Sequence, residues 1–286
     1  NLAIEEHLVR HADCSKGDLL LLYINTPCMV LGKNQSIYKE INFEYLRNGT
    51  LLLCRRISGG GTVYQDEGNL CFSFISQFSE QKINNYRSFN QPVVNALRKI
   101  GVDAEMDERN NILCNGKKIS GNAQFTNRKN IISHGTILVD ANLDVLRASL
   151  RPNDFKVESK AVSSVRSSVT NINGIAVGLS SAKDLKEHLK TELRAVDVLG
   201  FSDAEWNIIN QAAEEKFKSF EWIYGRSPLT TITKSDLQVV VEDGIIREIK
   251  TELSLPLLTG IRYEFGSIKK ALENYPNASD VLKLLF

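Results

Sequence analysis

One stretch constrains this chain more than any other: Arg55-Arg56-Ile57-Ser58-Gly59-Gly60-Gly61-Thr62-Val63-Tyr64-Gln65-Asp66-Glu67-Gly68-Asn69. It follows the apolar run Leu51-Leu52-Leu53-Cys54 and precedes Leu70-Cys71-Phe72-Ser73-Phe74-Ile75, so it reads as a loop between two strands. Glycines carry no side chain, so an anion can approach their backbone N–H groups closely, and φ > 0 costs them little. Arg55 and Arg56 add permanent charge in a fork suited to phosphate or carboxylate. Asp66, Glu67 and Asn69 add oxygens suited to a magnesium ion. A glycine-rich hairpin with solvated charges is the plainer alternative. The arginines on one side and the acid-rich turn on the other favour an anion cradle. No G-x-x-x-x-G-K-[ST] or G-x-G-x-x-G spacing occurs, which excludes a Walker A loop and a dinucleotide-binding turn.

The cradle must act locally, because a formal net charge of +1 gives no general attraction to nucleic acid or anionic lipid. The 286 residues suit one large domain, or one large and one small, with a sizeable core. The longest apolar run is far short of the roughly 20 residues that span a bilayer. The cysteines, Cys14, Cys28, Cys54, Cys71 and Cys114, stand singly without C-x-x-C, which points to a reducing compartment rather than disulfides or a zinc ribbon. No secretory signal is visible, and the opening Asn1 is compatible with a trimmed leading segment. A cytoplasmic location is the expectation, with a mitochondrial one left open.

Periodicity predicts a helix over 2–13 with Ile4 and Leu8 facing inward. His7, His11 and Cys14 fall at i, i+4 and i+7, but no fourth ligand accompanies them and a metal site is not expected. Strands follow at Leu19–Ile24 and Cys28–Leu31, then the polar turn Gly32-Lys33-Asn34-Gln35 and a short helix from Ile41 to Arg47. Beyond the loop come a strand over Leu70–Ile75, a helix opening near Pro92 and closed by Gly101, and a meander of short strands from 102 to 139 turned at Asn115-Gly116. A short helix at 143–150 precedes the Ser- and Lys-rich 156–170, expected as a mobile loop. Ser181–Leu199 reads as an amphipathic helix with Leu185, Leu189, Leu193 and Val196 on one face, and Ser202/Glu205 as a capping box. Gly225-Arg226-Ser227-Pro228 marks a boundary before strands at Leu237–Val241 and Ile245–Ile249 and two last helices. The fold class expected is α/β of the α+β type. Mixed sheets flanked by helices make a large domain over 1–226, and a small α/β unit covers 227–286.

A second candidate is Lys118, in Gly116-Lys117-Lys118-Ile119-Ser120-Gly121-Asn122-Ala123. Strand alternation points Lys117 and Lys118 to opposite faces, so one can look inward beside an anion. Spacing alone leaves a surface hairpin with two solvated lysines as the ordinary reading. His134 alone reads as a hydrogen-bonded structural histidine.

Together these residues resemble a known family. The glycine loop is similar to the RRxSGGGxVxHDxGN signature of lipoate–protein ligases, and Lys118-Ile119-Ser120-Gly121-Asn122-Ala123 to their K-[VI]-S-G-x-A. Asn1 to Glu6, Pro27 to Gln35, His134-Gly135-Thr136, Lys160 to Asn171 and Trp222 to Pro228 extend the resemblance in order over nearly the whole chain.

The resemblance implies that ATP and lipoate form lipoyl-AMP and pyrophosphate, and that the lipoyl group then passes to a lysine of a lipoyl domain. That domain would belong to a 2-oxoacid dehydrogenase E2 subunit, the glycine cleavage H protein, or both. It also implies nucleotide contacts at Arg56, Ser58, Gly59, Gly60, Gly61, Thr62, Val63, Tyr64, Asn69 and Lys118, and lipoate contacts at Lys118, Gly60 and His134. Lys160 and Arg166 fall in a loop that closes over the adenylate, Mg2+ accompanies ATP with Asp66 as its ligand, and Lys118 is the catalytic residue of a monomer. Gln65 stands where the family has histidine. The rivals are an ATP-independent octanoyl or lipoyl transferase, which needs a cysteine beside the lysine strand, and a non-catalytic binder of lipoate or lipoyl domains.

Overall fold

Short apolar runs divided by turn residues favour short strands, and the described residues build four small sheets rather than one large one. The computed structural model describes residues 1–49, 51–150, 154–195 and 198–286. In chain order, α1 (Leu2–His11) precedes β1 (Leu19–Tyr23) and β2 (Cys28–Leu31). Helices α2 (Ile37–Glu40) and α3 (Phe43–Asn48) lead to β3 (Leu52–Arg55), β4 (Val63–Gln65) and β5 (Asn69–Gln77). Next come α4 (Tyr86–Lys99), β6 (Ala104–Met106), β7 (Ile112–Cys114), β8 (Lys117–Ser120), β9 (Asn122–Thr126), β10 (Asn130–Leu138) and α5 (Leu143–Ser149). The remainder holds β11 (Lys156–Ser159), α6 (Ala182–Glu192), α7 (Asp203–Ala212) and α8 (Phe220–Ile223). It ends with β12 (Thr230–Lys234), β13 (Leu237–Glu242), β14 (Ile245–Lys250), α9 (Phe265–Ala271) and α10 (Ala278–Leu285).

The central sheet runs β1-β5-β10-β9 and is antiparallel throughout. Strand alternation gives it two apolar faces. Leu70, Phe72 and Ile137 pack with Val93, Leu97, Leu185 and Leu189 of α4 and α6, whereas Ile75 and Ile132 pack with Ala3, Val9 and Ile209 of α1 and α7. Ser73 and His134 sit opposite each other in the β5/β10 register, on the α1 side. In a second sheet, β2 lies between parallel β3 and antiparallel β4. The glycine loop therefore crosses the C-terminal end of β2. Gly32 receives it there: a Cβ on Gly32 would stand 2.0 Å from the Gly60 carbonyl oxygen.

Several expectations change. Helix α1 does not bury Ile4 and Leu8 deepest; it buries Glu5, Glu6 and His7 with Ala3 and Val9. The acids are tolerated because each has partners: Arg10 and Lys216 for Glu6, and His134, Ser73 and Tyr23 for Glu5. The helix expected near Ile41 is two, because Ile41 is extended and Asn42 starts α3 by accepting from the Glu44 N–H. Helix α4 opens at Tyr86 under an Asn85 cap, and Pro92 lies inside it. Within 156–170 the first four residues form β11, an edge strand on β12 with alternating exposure. Helix α6 stops at Glu192, before Arg194 at φ 52°, so only Leu185, Leu189 and the C-cap Leu193 of the expected stripe belong to it; Val196 lies outside the described residues. The Ser202/Glu205 capping box is present.

The third core joins the two ends of the chain. Met29, Leu31, Ile37 and Tyr64 pack in one cluster with Val239, Val241, Tyr263, Ile268 and Phe286. The Tyr263 ring stacks on Phe286 at 5.1 Å and meets Tyr38 at 5.2 Å, at 0% exposure. Tyr263→Ala is expected to lower stability by about 3–5 kcal/mol. Because the core is shared, urea unfolding followed by far- and near-UV signals should keep one coincident transition. Separate transitions for the two ends would show that the core is not shared energetically.

Candidate active site

Arg55 ends β3 and Arg56 follows it, and their side chains turn to opposite sides. The Arg55 guanidinium, with 0% exposure, donates to the carbonyls of Gly32, Gln35, Trp222 and Ile223 at 2.6–2.9 Å. It is a bracket for the frame and not part of an anion site. Arg56 turns into the loop. Its Nη2 donates to Gly59 O at 2.6 Å and Gly61 O at 2.7 Å, its Nη1 to Val30 O at 3.0 Å, and its Nε to Ser58 Oγ at 3.0 Å. Gly60 between these carbonyls adopts φ +85°, the conformation that favours glycine. Burial lowers the Arg56 pKa to about 10, which leaves it a cation at neutral pH.

Lys118 lies on β8 at the junction of two cavities, of about 340 and 500 Å3, and lines both. The first holds Arg56, Gly60, Arg109, Ala123 and His134; the second holds Tyr64, Ser120, Leu138, Leu146 and Arg166. Thr62, Val63, Gly121 and Thr136 are shared. Gly121 makes room for the lysine, since a Cβ there would stand 3.0 Å from Lys118 Nζ. Burial lowers the Lys118 pKa, Asp107 partly offsets this, and Arg56 adds to it. Among the described residues no carboxylate lies within ion-pair distance of this ammonium. A half-buried cation with no carboxylate in ion-pair contact is ready for an anionic ligand.

The segment 160–168 forms a strap over the junction. Its far end is fastened to Lys118: the Lys118 N–H donates to Ser168 O at 2.8 Å, and the Thr170 N–H to Lys118 O at 3.1 Å. Its middle is fastened by Ser164. The Ser164 Oγ accepts from the Thr62 N–H at 2.9 Å and from Gln35 Nε2 at 3.1 Å, and donates to the Glu40 carboxylate. Gln35 Oε1 completes the clasp by accepting from Thr62 Oγ1 at 2.8 Å and from the Gly32 N–H at 2.9 Å. Ser164 thus occupies one of the loop N–H groups expected to meet phosphate.

Residues 1–194 match the family model of the lipoyl protein ligase A/B catalytic domain. The chain belongs to the lipoate–protein ligase family. It is 36% identical to lipoate-protein ligase LplJ of Bacillus subtilis over 96% of this chain and 89% of that protein. Among solved structures it is similar to lipoate-protein ligase A bound with ATP, at a TM-score of 0.66 and 25% identity, over 79% of this chain and 93% of the other. It is also similar to the bi-partite lipoate protein ligase of Thermoplasma acidophilum, solved in a study of that ligase and its E2 lipoyl domain. That match has a TM-score of 0.65 and 25% identity over 79% and 91% of the two chains.

In this ligase, Arg56, Gly60, Gly61, Thr62, Val63, Lys118 and His134 converge on the first cavity, while Tyr64 and Arg166 reach the second. The other expected positions stand apart. Ser58 lies behind the loop at 1% exposure. Asn69 is buried with its Nδ2 donating to Tyr64 O, and Lys160 is exposed outside both cavities. Asp66 does not fit a metal: its two oxygens accept the Gly68 and Asn142 N–H groups, and it lines neither cavity. Gln65 lines the first cavity and accepts from Asn25 Nδ2 at 2.6 Å. Sequence reasoning gave no role to Glu40, Ser164 or Glu5. Their acids and hydroxyl meet partners far along the chain, so only the motif-bound Gln35 carried a local signal.

Ser164→Ala removes the hydroxyl that joins Glu40, Gln35 and Thr62. Hydrogen bonds to a charged group contribute about 1.5–3 kcal/mol, so the strap should be open roughly ten- to a hundredfold more often. Limited proteolysis between 160 and 168 should accelerate by that factor at unchanged Tm; cleavage at the unmodified rate would show that the clasp does not hold the strap.

Proposed function

We propose that Lys118 joins a lipoate half-site to a nucleotide half-site, so that lipoate is activated by ATP and passed to an acceptor lysine. The observation that carries this is the place of Lys118 on the common wall of two cavities, opposite the glycine loop. A lipoate carboxylate oxygen attacks the α-phosphorus, the bond to the pyrophosphate oxygen breaks, and lipoyl-AMP and pyrophosphate result. The acceptor's neutral amine then attacks the acyl carbon, AMP leaves with the bonding pair, the nitrogen gives up a proton to solvent, and an amide forms.

Two anions must meet in the first step. A fixed ammonium between them offsets their repulsion, aligns them and stabilises the charge that develops. Arg56, the loop N–H groups and Arg166 bind the phosphates once Ser164 yields the Thr62 N–H. His134 and Gly60 border the lipoate half-site. Mg2+ would arrive with ATP and neutralise phosphate charge; no residue of this chain is assigned to it.

An ATP-independent transferase is not favoured, because among the described residues no cysteine lines either cavity. The nearest in sequence to Lys118, Cys114, is fully buried, and that burial raises its pKa and keeps it an inert thiol. A non-catalytic binder has no need of an uncompensated lysine between two cavities.

The acceptor we propose is a lipoyl domain of an E2 subunit or the H protein, with the ligase acting as a monomer in the cytoplasm. Residues 1–226 would carry the catalysis and 227–286 an accessory unit. The family match ends at residue 194 and so leaves the C-terminal part outside the catalytic-domain model, and the shared core and the β11/β12 pairing dock that part on the rest. Described helices are not long and apolar enough to cross a membrane.

Lys118→Ala should lower lipoate-dependent ATP–pyrophosphate exchange by at least about a hundredfold, the scale of one lost transition-state donor. Near-normal exchange in that variant would overturn the assignment.

A further inference from the structure

Beneath the glycine loop lies a line of buried polar groups with a fixed direction. Glu5, at 0% exposure on α1, accepts from Tyr23 Oη at 3.0 Å, from Ser73 Oγ and from His134 Nδ1 at 3.0 Å. Burial alone would raise the Glu5 pKa; the hydrogen bonds it accepts from His134, Ser73 and Tyr23 hold it below its usual value. A carboxylate has no hydrogen to give, so Nδ1 carries a hydrogen, and in the neutral ring Nε2 is then an acceptor. Ser58 Oγ, 2.7 Å from that Nε2, therefore donates to it. Its lone pair is then free for the Arg56 Nε–H at 3.0 Å. Donation runs one way, from Arg56 through Ser58 and His134 to Glu5.

A protonated His134 would break this order. Ser58 Oγ would face two cationic donors, and its own hydrogen would have no acceptor among the described residues it contacts. The neutral tautomer satisfies every member and links a buried cation to a buried anion through two neutral dipoles. The Glu5 charge also counters the lowering that burial imposes on Arg56. At the far end, Arg56 holds the Gly59 and Gly61 carbonyls, and a Cβ on Gly60 would stand 3.0 Å from its Nη2. The loop's shape thus depends on where the guanidinium is held.

We propose that Glu5 is a positioning residue for the nucleotide half-site, acting through His134 and Ser58 to fix Arg56 and the glycine loop. This rests on the ligase reading given above. The competing role is an anchor of α1 on the sheet, through Ser73 of β5 and Tyr23 of β1.

A double-mutant cycle separates the two. Glu5→Gln and Ser58→Ala should each raise the KM for ATP in lipoate-dependent exchange by about tenfold, the scale of a lost bond to a charged group. The double variant should stay near tenfold rather than the product of about a hundredfold, because both cut one line. Ser73→Ala removes an anchor of Glu5 off that line and should leave the KM unchanged. If Glu5→Gln does not fold, His134→Gln takes its place in the cycle. In parallel, NMR should show faster solvent exchange of the Arg56 Nε–H in Glu5→Gln and Ser58→Ala, but not in Ser73→Ala. Multiplicative KM effects, a Ser58→Ala KM at the unmodified value, or an Arg56 signal unchanged in all variants would overturn the relay. Absence of exchange in the unmodified chain would instead fail the ligase reading, and the Arg56 signal would decide the relay by itself.

Discussion

Two adjacent arginines at the end of β3 hold the site together from opposite sides. Arg55 is enclosed by backbone carbonyls of Gly32, Gln35, Trp222 and Ile223, so the turn after β2 and the C-terminal end of α8 share one cation. A buried guanidinium held by carbonyls and one hydroxyl, that of Ser227, costs much solvation, and it persists because every donor direction has an oxygen. Arg56 does the same for the glycine loop. Removing either side chain would leave several carbonyls unpaired at once, which is why the loop keeps a shape that glycine alone would not fix.

On that frame the chemistry needs little more. Lys118 is placed by a strand, given room by Gly121, and left without a carboxylate partner. Its lowered pKa reflects burial, and an incoming carboxylate or phosphate would restore it. The strap is tied to the backbone of the same lysine at Ser168 and Thr170 and to the loop at Ser164, so the strap, the glycine loop and the lysine are mechanically linked.

Much of this was legible in the sequence where the signal is local. The glycine loop, the lysine strand, the Ser202/Glu205 cap and the helix periods of α4 and α6 follow from turn chemistry and spacing. What was not legible depends on partners distant along the chain. No spacing or motif marks Glu5 until His134 and Ser73 are brought under it, and Arg55 reads as an anion ligand until residues 222–227 close around it. Asp66 reads as a metal ligand until its oxygens are seen to hold the Gly68 and Asn142 amides. The strand Lys156–Ser159 hid within a Ser- and Lys-rich stretch because an edge strand needs only alternation, not apolarity.

The central claim is that one site couples ATP cleavage to acylation of a protein lysine. Incubating the chain with lipoate and an apo lipoyl domain, with and without Mg-ATP, and weighing the acceptor by mass spectrometry tests it directly. The account predicts a lipoylated lysine only when ATP is present, with AMP released in equal amount. Acceptor modified without ATP, or ATP turned over to AMP with no acceptor modified, would contradict it.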